Sequence, residues 1–308
     1  MRRTILLPAS VGIALLLACA LALLAALASA PTASAASNDH GASFAVRCDF
    51  SHRNWDDPIV HPGKQGAAHG HDFFGNRSAK FNSTYQSMIR ASTTCTRPAD
   101  TAGYWFPTVK WNGKNRRAHR TVFYYRAGGK AHTNVKAFAP SLKIVNGSRI
   151  RWYCGSEDGK AGSADPPTRC ASGVLGLRIV FPDCVAKNSS GGQKLDSADH
   201  KSHMARSVRQ SDGGRRCPST HPIPVPTLTV NANFAIPPTS GKVTLSSGPA
   251  SSMHADFWNT WDQDTPLNLA PPDGRSFGGL NALVRHCING VPPTSPRPTE
   301  CRAPTATA

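Results

Sequence analysis

PTLTVNANFAI, Pro226 to Ile236, carries the β-branched and aromatic residues that favour a β-strand. Four other runs have the same character: TVFYYR (Thr121 to Arg126), SLKIV (Ser141 to Val145), RIRWYC (Arg149 to Cys154) and LGLRIVF (Leu175 to Phe181). The segment NGS, Asn146 to Ser148, separates two of these runs and predicts a hairpin turn. Together the runs predict a mainly β protein.

The composition around these runs favours many short strands joined by turns. The chain has 26 glycines and 25 prolines in 308 residues, with little of the amphipathic periodicity of helices. We expect a single-domain β-sandwich or jelly-roll-like fold with long loops and disulfides, in preference to a closed barrel. The domain is expected to span residues 36–288. A Pro/Thr-rich C-terminal tail, residues 289–308, follows it and is held partly by Cys301.

The N-terminal segment has the pattern of an export signal. Arg2 and Arg3 precede an almost unbroken apolar run from Ile5 to about Ala30. Small residues at Ala33 and Ala35 fit a cleavage site, so residues 1–35 are expected to be a signal peptide. The alternative is a retained membrane anchor, since the run is long enough to span a bilayer. Cleavage predicts a secreted, extracellular protein without further membrane contact.

Cysteine usage agrees with export. One of the nine cysteines, Cys19, lies in the signal, which leaves an even number, and no C-x-x-C pair suggests zinc. An even number in an exported chain predicts disulfides. The pairing that we expect is sequential: Cys48–Cys95, Cys154–Cys170, Cys184–Cys217 and Cys287–Cys301.

The charge predicts the kind of partner. The formal net charge is +17, which favours anionic partners such as acidic polysaccharide or cell-wall polymer. Lysines and arginines are scattered and no nucleic-acid motif is present, so specific nucleic-acid binding is not expected. A basic surface that only keeps the protein in solution is the alternative interpretation.

Three stretches concentrate histidine and aspartate. They are HPGKQGAAHGHDFFGN (His61 to Asn76), DSADHKSHMA (Asp196 to Ala205) and MHADFWNTWD (Met253 to Asp262). In an extended chain His69 and His71 project from the same face. The first and third stretches share the order His, Asp, Phe, aromatic, Asn, which predicts one site assembled from distant segments.

Five blocks in a fixed order carry a family resemblance. They are FAVRCDFSHRNWDDPIVHPGKQGAAHGHDFFGN, CTRPADTAGYWFPTV, FPDCVAKNSSGGQKLDSADHKSHMA, CPSTHPIPVPTL and SSGPASSMHADFWNTWD. This order, from roughly Phe44 to Cys287, resembles the secreted bacterial and fungal family called domain of unknown function number nineteen ninety-six. The resemblance implies an exported domain, found in fungi sometimes beside carbohydrate-binding wall modules, and it implies no particular activity.

The residues themselves allow two chemistries. Imidazole and carboxylate are ligands of zinc, copper and manganese, so a divalent metal could be held by His69, His71 and His254, with His203, Asp72 or Asp256 as further ligands. Without a metal, His71, His203 and His254 with Asp72 and Asp256 are candidate catalytic groups. The two carboxylates suit glycoside hydrolysis, whereas a His base with Tyr104 as acid suits β-elimination.

Aromatic residues near these stretches suggest the substrate. Trp105, Trp258 and Trp261 are candidates for stacking on sugar rings. We therefore expect an exported, carbohydrate-directed protein that degrades polysaccharide as a hydrolase or lyase. The alternative is a non-catalytic module that binds cell wall or polysaccharide. An open cleft holding His71, His203 and His254 would favour the enzyme, and a closed hydrogen-bond network would favour the module.

Overall fold

The structure is a computed structural model that describes residues 41–131, 134–155, 162–268, 278–292, 295 and 297–302. All of these residues belong to one compact unit, Asn38–Ala308. The expected signal peptide, residues 1–35, lies outside the described residues, as does part of the expected tail. Within the described ranges no helix is long and apolar enough to cross a bilayer.

Short strands account for most of the regular structure. They are β1 (Ser43–Arg47), β2 (Phe50–Asn54), β3 (His71–Gly75), β4 (Gly103–Pro107), β5 (Val109–Trp111), β6 (Lys114–Arg116), β7 (Ala118–Arg126), β8 (Lys143–Asn146), β9 (Ile150–Cys154), β10 (Val174–Val180), β11 (Cys184–Val185), β12 (Met204–Ala205), β13 (Val208–Arg209), β14 (Arg215–Arg216), β15 (Ile223–Pro224), β16 (Thr227–Ala235), β17 (Val243–Leu245), β18 (Gly248–Pro249) and β19 (Ala255–Trp258).

Within the described residues, helical structure is limited to short segments. Helix α1 is Tyr85–Ile89, and Thr84 and Ser87 form a capping box at its start. Helix α2, Leu280–Leu283, continues into a π-helical turn at Val284–Asn289. Single 3-10 turns lie at Ala250–Ser252 and Thr299–Cys301. The prediction of a mainly β protein is confirmed.

Two five-stranded antiparallel sheets build the fold. Sheet I has the strand order β1-β7-β16-β10-β9, and sheet II has the order β2-β3-β4-β19-β8. The sheets face each other: the ring centroids of Tyr104 in β4 and Phe123 in β7 are 3.9 Å apart. Phe106 in β4 also packs across the sheets against Phe234 in β16, edge-on and with ring centroids 6.3 Å apart. A sandwich follows, as predicted, because each sheet buries one apolar face against the other.

Each of the five runs predicted as strands overlaps one strand of the structure, namely β7, β8, β9, β10 or β16. The hairpin predicted at Asn146 to Ser148 is wrong, because β8 belongs to sheet II and β9 to sheet I. The segment instead carries the chain from one sheet to the other. The Asn146 side chain donates to the carbonyl of Val180, 3.2 Å away, which anchors the start of this crossover to the end of β10.

The disulfide prediction is confirmed. The four bridges are Cys48–Cys95, Cys154–Cys170, Cys184–Cys217 and Cys287–Cys301. The last of these holds the described part of the tail, and Cys301 is fully buried. Arg97 strengthens this attachment, since its guanidinium donates to the carbonyl of Glu300 at 2.6 Å.

The outer face of sheet II is covered rather than open. Phe73, Trp105 and Trp258 project from it and pack against Met88 of α1 and Ile59. The ring of His71, at the start of β3, stands edge-on to Phe73 with centroids 6.2 Å apart. The apolar row of this face therefore ends at a histidine.

Candidate functional site

Strand register brings two distant histidines into one row. His71 is paired with Pro107 of β4, and Asp256 of β19 is paired with Trp105. His254 precedes Asp256 by two residues, so it lies level with Pro107 on the same face as His71, because side chains two apart share a face. β4 lies between β3 and β19, and imidazoles on either side of it meet above Pro107.

Five side chains meet at this point, and we call them the histidine–aspartate cluster. They are Asp57, His69, His71, His254 and Asp256. Ligand atoms of the three histidines all lie within 4.8 Å of one another, and so do those of Asp57, His71 and Asp256. The Nε2 atoms of His71 and His254 are 3.4 Å apart. His71, Asp57 and Asp256 are buried, whereas His69 is half-buried and the side chain of His254 is 20 % exposed.

Backbone carbonyls fix how the two central imidazoles carry their protons. Nδ1 of His71 lies 3.0 Å from the carbonyl oxygen of Asp56, and Nδ1 of His254 lies 3.0 Å from that of Ser252. A carbonyl oxygen only accepts, so both Nδ1 atoms carry the proton and donate. In the neutral form both Nε2 atoms then present lone pairs, and they present them to each other.

The carboxylates differ in how they are satisfied. Both oxygens of Asp256 are buried without a hydrogen-bond partner among the described residues, and Oδ2 lies 3.8 Å from Nε2 of His254. One oxygen of Asp57 accepts from the backbone N–H groups of Ile59 and Val60, each at 2.9 Å. Asp57 is therefore held in place by its own turn, whereas Asp256 is held by the strand alone.

Burial and mutual proximity shift the pKa values in the cluster. Burial, followed by the neighbouring His69 and His254, holds the pKa of His71 well below its usual value. Burial also lowers the pKa of His69 and of His254. Burial, with a further contribution from Asp57, raises the pKa of Asp256 well above its usual value. Such shifts are typical of functional sites.

An exposed indole lies beside the cluster. Trp55 is 57 % exposed, and its Nε1 would lie 3.6 Å from a Cβ on Gly70, the residue between His69 and His71. The carbonyl of Trp55 accepts from the N–H of Ala68 at 3.0 Å, which ties the residue to the same loop. The rim of the cluster thus carries a large aromatic surface.

Asp72, a sequence candidate, lies away from the cluster. It is paired with Phe106, whereas Asp256 is paired with Trp105, so the two carboxylates point to opposite faces of sheet II. Asp72 is bound by Arg53 at 2.6 Å and by the hydroxyl of Thr108 at 2.7 Å. The expectation that Asp72 and Asp256 flank one bond is therefore corrected.

His203, from the third histidine-rich stretch, is also elsewhere. Its side chain is buried and both ring nitrogens are occupied, Nδ1 by Ser197 at 2.9 Å and Nε2 by the carbonyl of Lys143 at 2.7 Å. This closed network is the arrangement expected of a structural histidine. The three histidines and Asp256 of the cluster thus come from two of the three predicted stretches, and Asp57 lies outside all three.

Tyr104 and Trp261 belong to the core between the sheets. The Tyr104 hydroxyl lies 2.9 Å from Asp100 and 2.6 Å from the hydroxyl of Tyr125. The indole of Trp261 donates to Tyr125 at 2.9 Å and borders a cleft of about 920 Å³, but its side chain is buried. Tyr104 is therefore not placed to act as an acid beside His71 or His254.

Trp105 and Trp258 lie beneath the cover of sheet II. Trp105 is 0 % and Trp258 is 4 % exposed, so neither offers a face to a sugar ring. The expected stacking platform of three tryptophans is corrected to a single exposed one, Trp55. Sequence reasoning missed Trp55 and Asp57, although the run WDDP, with two adjacent carboxylates after an aromatic residue, was a visible signal.

Two further groups of ligand-type residues are accounted for by other interactions. Cys287 and Cys301, beside His286, are joined in a disulfide, and His286 is bound to Glu300 at 2.8 Å. Cys48 and Cys95, beside Asp100, form another disulfide. Among the groups found in the described residues, only the histidine–aspartate cluster contains no disulfide-bonded cysteine.

Comparison with known proteins gives one match. Residues 57–261 match a family model described as Domain of unknown function (DUF1996), as the order of the sequence blocks predicted. The matched range includes every residue of the histidine–aspartate cluster, whereas Trp55 precedes it. No curated protein and no solved structure matches the chain.

Proposed function

The chain belongs to the DUF1996 family, whose description names no activity, and from the geometry of its own residues we propose that it is an exported hydrolase. Its substrate class is polysaccharide, and its reacting groups are those of the histidine–aspartate cluster. The four disulfides support export, since such bridges persist in oxidising compartments.

One observation carries the proposal: buried groups with unused lone pairs meet at a place that solvent reaches. Nε2 of His71 faces Nε2 of His254, and the His254 side chain is 20 % exposed. A structural histidine has both nitrogens satisfied, as His203 does. Clustered ionisable groups that are poised but unsatisfied are typical of active sites.

The surroundings of the cluster favour a carbohydrate substrate. A pyranose ring packs its C–H face on an indole, and Trp55 offers such a surface beside Gly70. The exposed Lys201 lies within electrostatic range of His254 and Asp256. With the net charge of +17, this favours polysaccharides that carry anionic groups.

Hydrolysis is favoured over elimination because Asp57 replaces Asp72 as the second carboxylate: ligand atoms of Asp57, His71 and Asp256 lie within 4.8 Å of one another. Elimination was expected to use Tyr104 as the acid, and that hydroxyl is buried between the sheets. Hydrolysis consumes one water molecule: its oxygen bonds to the anomeric carbon, and a proton goes to the sugar oxygen that leaves. The side chains of His69 and His254 are partly exposed, so solvent water reaches this side of the cluster.

The test is product release from polysaccharide by the purified, disulfide-bonded mature chain. Acidic and neutral polysaccharides are incubated with the native protein, His254→Gln, Trp55→Ala and the control His203→Gln. Reducing ends report hydrolysis, and absorbance of unsaturated sugars reports elimination. We expect reducing ends from the native chain and the control, at least tenfold less from His254→Gln, and weaker retention of polysaccharide by Trp55→Ala.

Other outcomes would refute the proposal in distinct ways. Unsaturated products would identify a lyase instead. A non-catalytic binding module would be identified if the chain retained polysaccharide through Trp55 but released no product under any condition. This is the second candidate, and the exposed indole and the charge favour it. Product release that His254→Gln leaves unchanged would place the reaction outside the cluster.

A further inference from the structure

We propose that the histidine–aspartate cluster binds one divalent transition-metal ion, with Zn²⁺ as the reference ion. The ligands are the imidazoles of His69, His71 and His254 and the carboxylate of Asp256, with Asp57 as a further oxygen donor. The inference deepens the proposed function because it concerns the same site. Metal binding nevertheless needs no polysaccharide, so each proposal can fail while the other stands.

The first argument is the contact between His71 and His254. Both Nδ1 atoms donate to carbonyls, so two Nε2 lone pairs face each other at 3.4 Å. Two neutral acceptors at this distance repel, and a cation between them turns the contact into an attraction. Two nitrogens bound to zinc at about 2.0–2.1 Å in a tetrahedron are about 3.3–3.4 Å apart. The observed distance is therefore that of two ligands on one ion.

The second argument is the carboxylate of Asp256. It is 1 % exposed, and neither oxygen has a hydrogen-bond partner in the part of the chain that the structure describes. A buried polar group without a partner is costly, and a buried charge without one is more so. A bound cation beside His254, whose Nε2 is 3.8 Å from Oδ2 of Asp256, removes that cost.

The third argument is the third imidazole. Nε2 of His69 is buried and has no hydrogen-bond partner among the described residues. The His69 ring lies 4.3 Å from that of His71 and 5.0 Å from that of His254, measured between centroids. Three imidazoles with nitrogens within 4.8 Å of one another form one face of a coordination shell.

The outer contacts match those of known metal ligands. Histidines that bind metals usually donate their second N–H to a backbone carbonyl or a carboxylate, which orients the ring. His71 does so to Asp56 and His254 to Ser252. The mixture of imidazole nitrogens with few carboxylates suits zinc or copper rather than calcium or magnesium, which prefer oxygen shells.

The experiment measures binding of the metal alone. The mature, disulfide-bonded chain is stripped with a chelator, transferred to metal-free buffer and titrated with Zn²⁺ by calorimetry. The bound metal is then counted by mass spectrometry. His254→Gln and Asp256→Asn remove one ligand each, and His203→Gln changes a histidine whose nitrogens are both occupied elsewhere. Far-UV circular dichroism establishes that each variant is folded.

We expect one zinc per native chain and per His203→Gln chain, and at least tenfold weaker binding in each ligand variant. Zinc should raise the melting temperature of the native chain and of His203→Gln, and raise it less in the ligand variants. The proposal is overturned if the stripped native chain binds none of Zn²⁺, Cu²⁺ and Mn²⁺, or if both ligand variants bind zinc as the native chain does. Zinc binding without hydrolysis would refute the proposed function alone.

Discussion

At the scale of single residues, two aspartates on opposite faces of one sheet have opposite roles. Asp72 is satisfied by Arg53 and Thr108, whereas Asp256 has no hydrogen-bond partner among the described residues. The contacts of Asp72 stabilise the fold, whereas Asp256 is buried at a cost that the proposed cation would remove. Of these two aspartates, only Asp256 takes part in the proposed function.

Asp72→Asn should lower stability without affecting metal. The substitution leaves the Arg53 guanidinium without its bidentate partner, and because Arg53 is 25 % exposed we expect a loss of about 1–3 kcal/mol in the free energy of unfolding. Asp256→Asn should show the reverse: zinc affinity falls while the metal-free protein keeps its stability. Urea unfolding and zinc titration of both variants measure this. Loss of zinc in Asp72→Asn at unchanged stability would contradict it.

Tyr104→Phe should also affect the fold alone. The variant removes a hydroxyl that donates to Asp100 inside the core, so we expect a loss of about 1–3 kcal/mol in stability. The rate of product release per folded molecule should remain that of the native chain. Thermal unfolding and the polysaccharide assay measure the two effects. A lower rate at unchanged stability would restore Tyr104 as a candidate acid.

The histidines of the site could be found from the sequence, and the carboxylates only in part. The H-x-H spacing places His69 and His71 on one face, and the repeated order of residues pointed to His254 and Asp256. Asp57 was missed because two adjacent aspartates before a proline are typical of a turn. Asp57 does form that turn, with one oxygen, and still contributes to the cluster.

At the scale of elements, strand content was predictable and strand pairing was not. Each of the five runs rich in β-branched and aromatic residues became a strand, because those residues pack well on a pleated surface. The segment at Asn146 to Ser148 has the composition of a hairpin turn, yet it joins two sheets. Local sequence sets the turn, whereas the partner of each strand depends on residues far away, such as Val180, whose carbonyl accepts from Asn146.

A buried ion pair beside β10 and β11 should make the free energy of unfolding depend on pH. Lys130 Nζ lies 2.6 Å from Asp183, and both side chains are buried. Burial by itself raises the pKa of Asp183, but the Lys130 ammonium and the hydrogen bonds from Lys130 and Ser207 outweigh it and lower the pKa. The ionised form is therefore favoured in the folded state.

Because the folded pKa of Asp183 is depressed, its contribution to stability is present above the unfolded value of about 3.9. The contribution is lost as the pH falls through the folded pKa. Asp183→Asn should lower the free energy of unfolding by about 3–5 kcal/mol at pH 7, and the loss should shrink below about pH 4. Urea midpoints from pH 2 to pH 7 measure this. A loss that is equal at all pH values would contradict the electrostatic account.

At the scale of the whole molecule, disulfides cross-link segments that are well separated along the chain. Cys48–Cys95 closes a separation of 47 residues, and Cys287–Cys301 closes one of 14. In the chain-entropy model a longer loop restricts the unfolded chain more, which gives about 4 kcal/mol for the first bridge and about 3 kcal/mol for the second. The pairing could be predicted from the sequence because the bridges join consecutive cysteines, the first with the second, the third with the fourth, and so on.

Removing Cys48 and Cys95 together should therefore destabilise the protein more than removing Cys287 and Cys301. The expected difference is about 1 kcal/mol, since the conformational freedom of the unfolded chain grows with the logarithm of loop length. Guanidinium unfolding of the two double-alanine variants measures it. A larger loss for the pair at the tail would show that native contacts such as that between Arg97 and Glu300 outweigh the loop term.

The separation of His71 and His254 by 183 residues has a consequence for biogenesis. An unfolded chain keeps His69 near His71 and His254 near Asp256, but the two pairs meet only when β3 and β19 both join β4. The complete cluster thus exists only after folding, and with the proposed export this folding would take place where the four disulfides form. Under the proposed metal binding, the ion would enter from the surroundings in which the chain folds, so the metal content of the protein would record where it matured and not where it was synthesised.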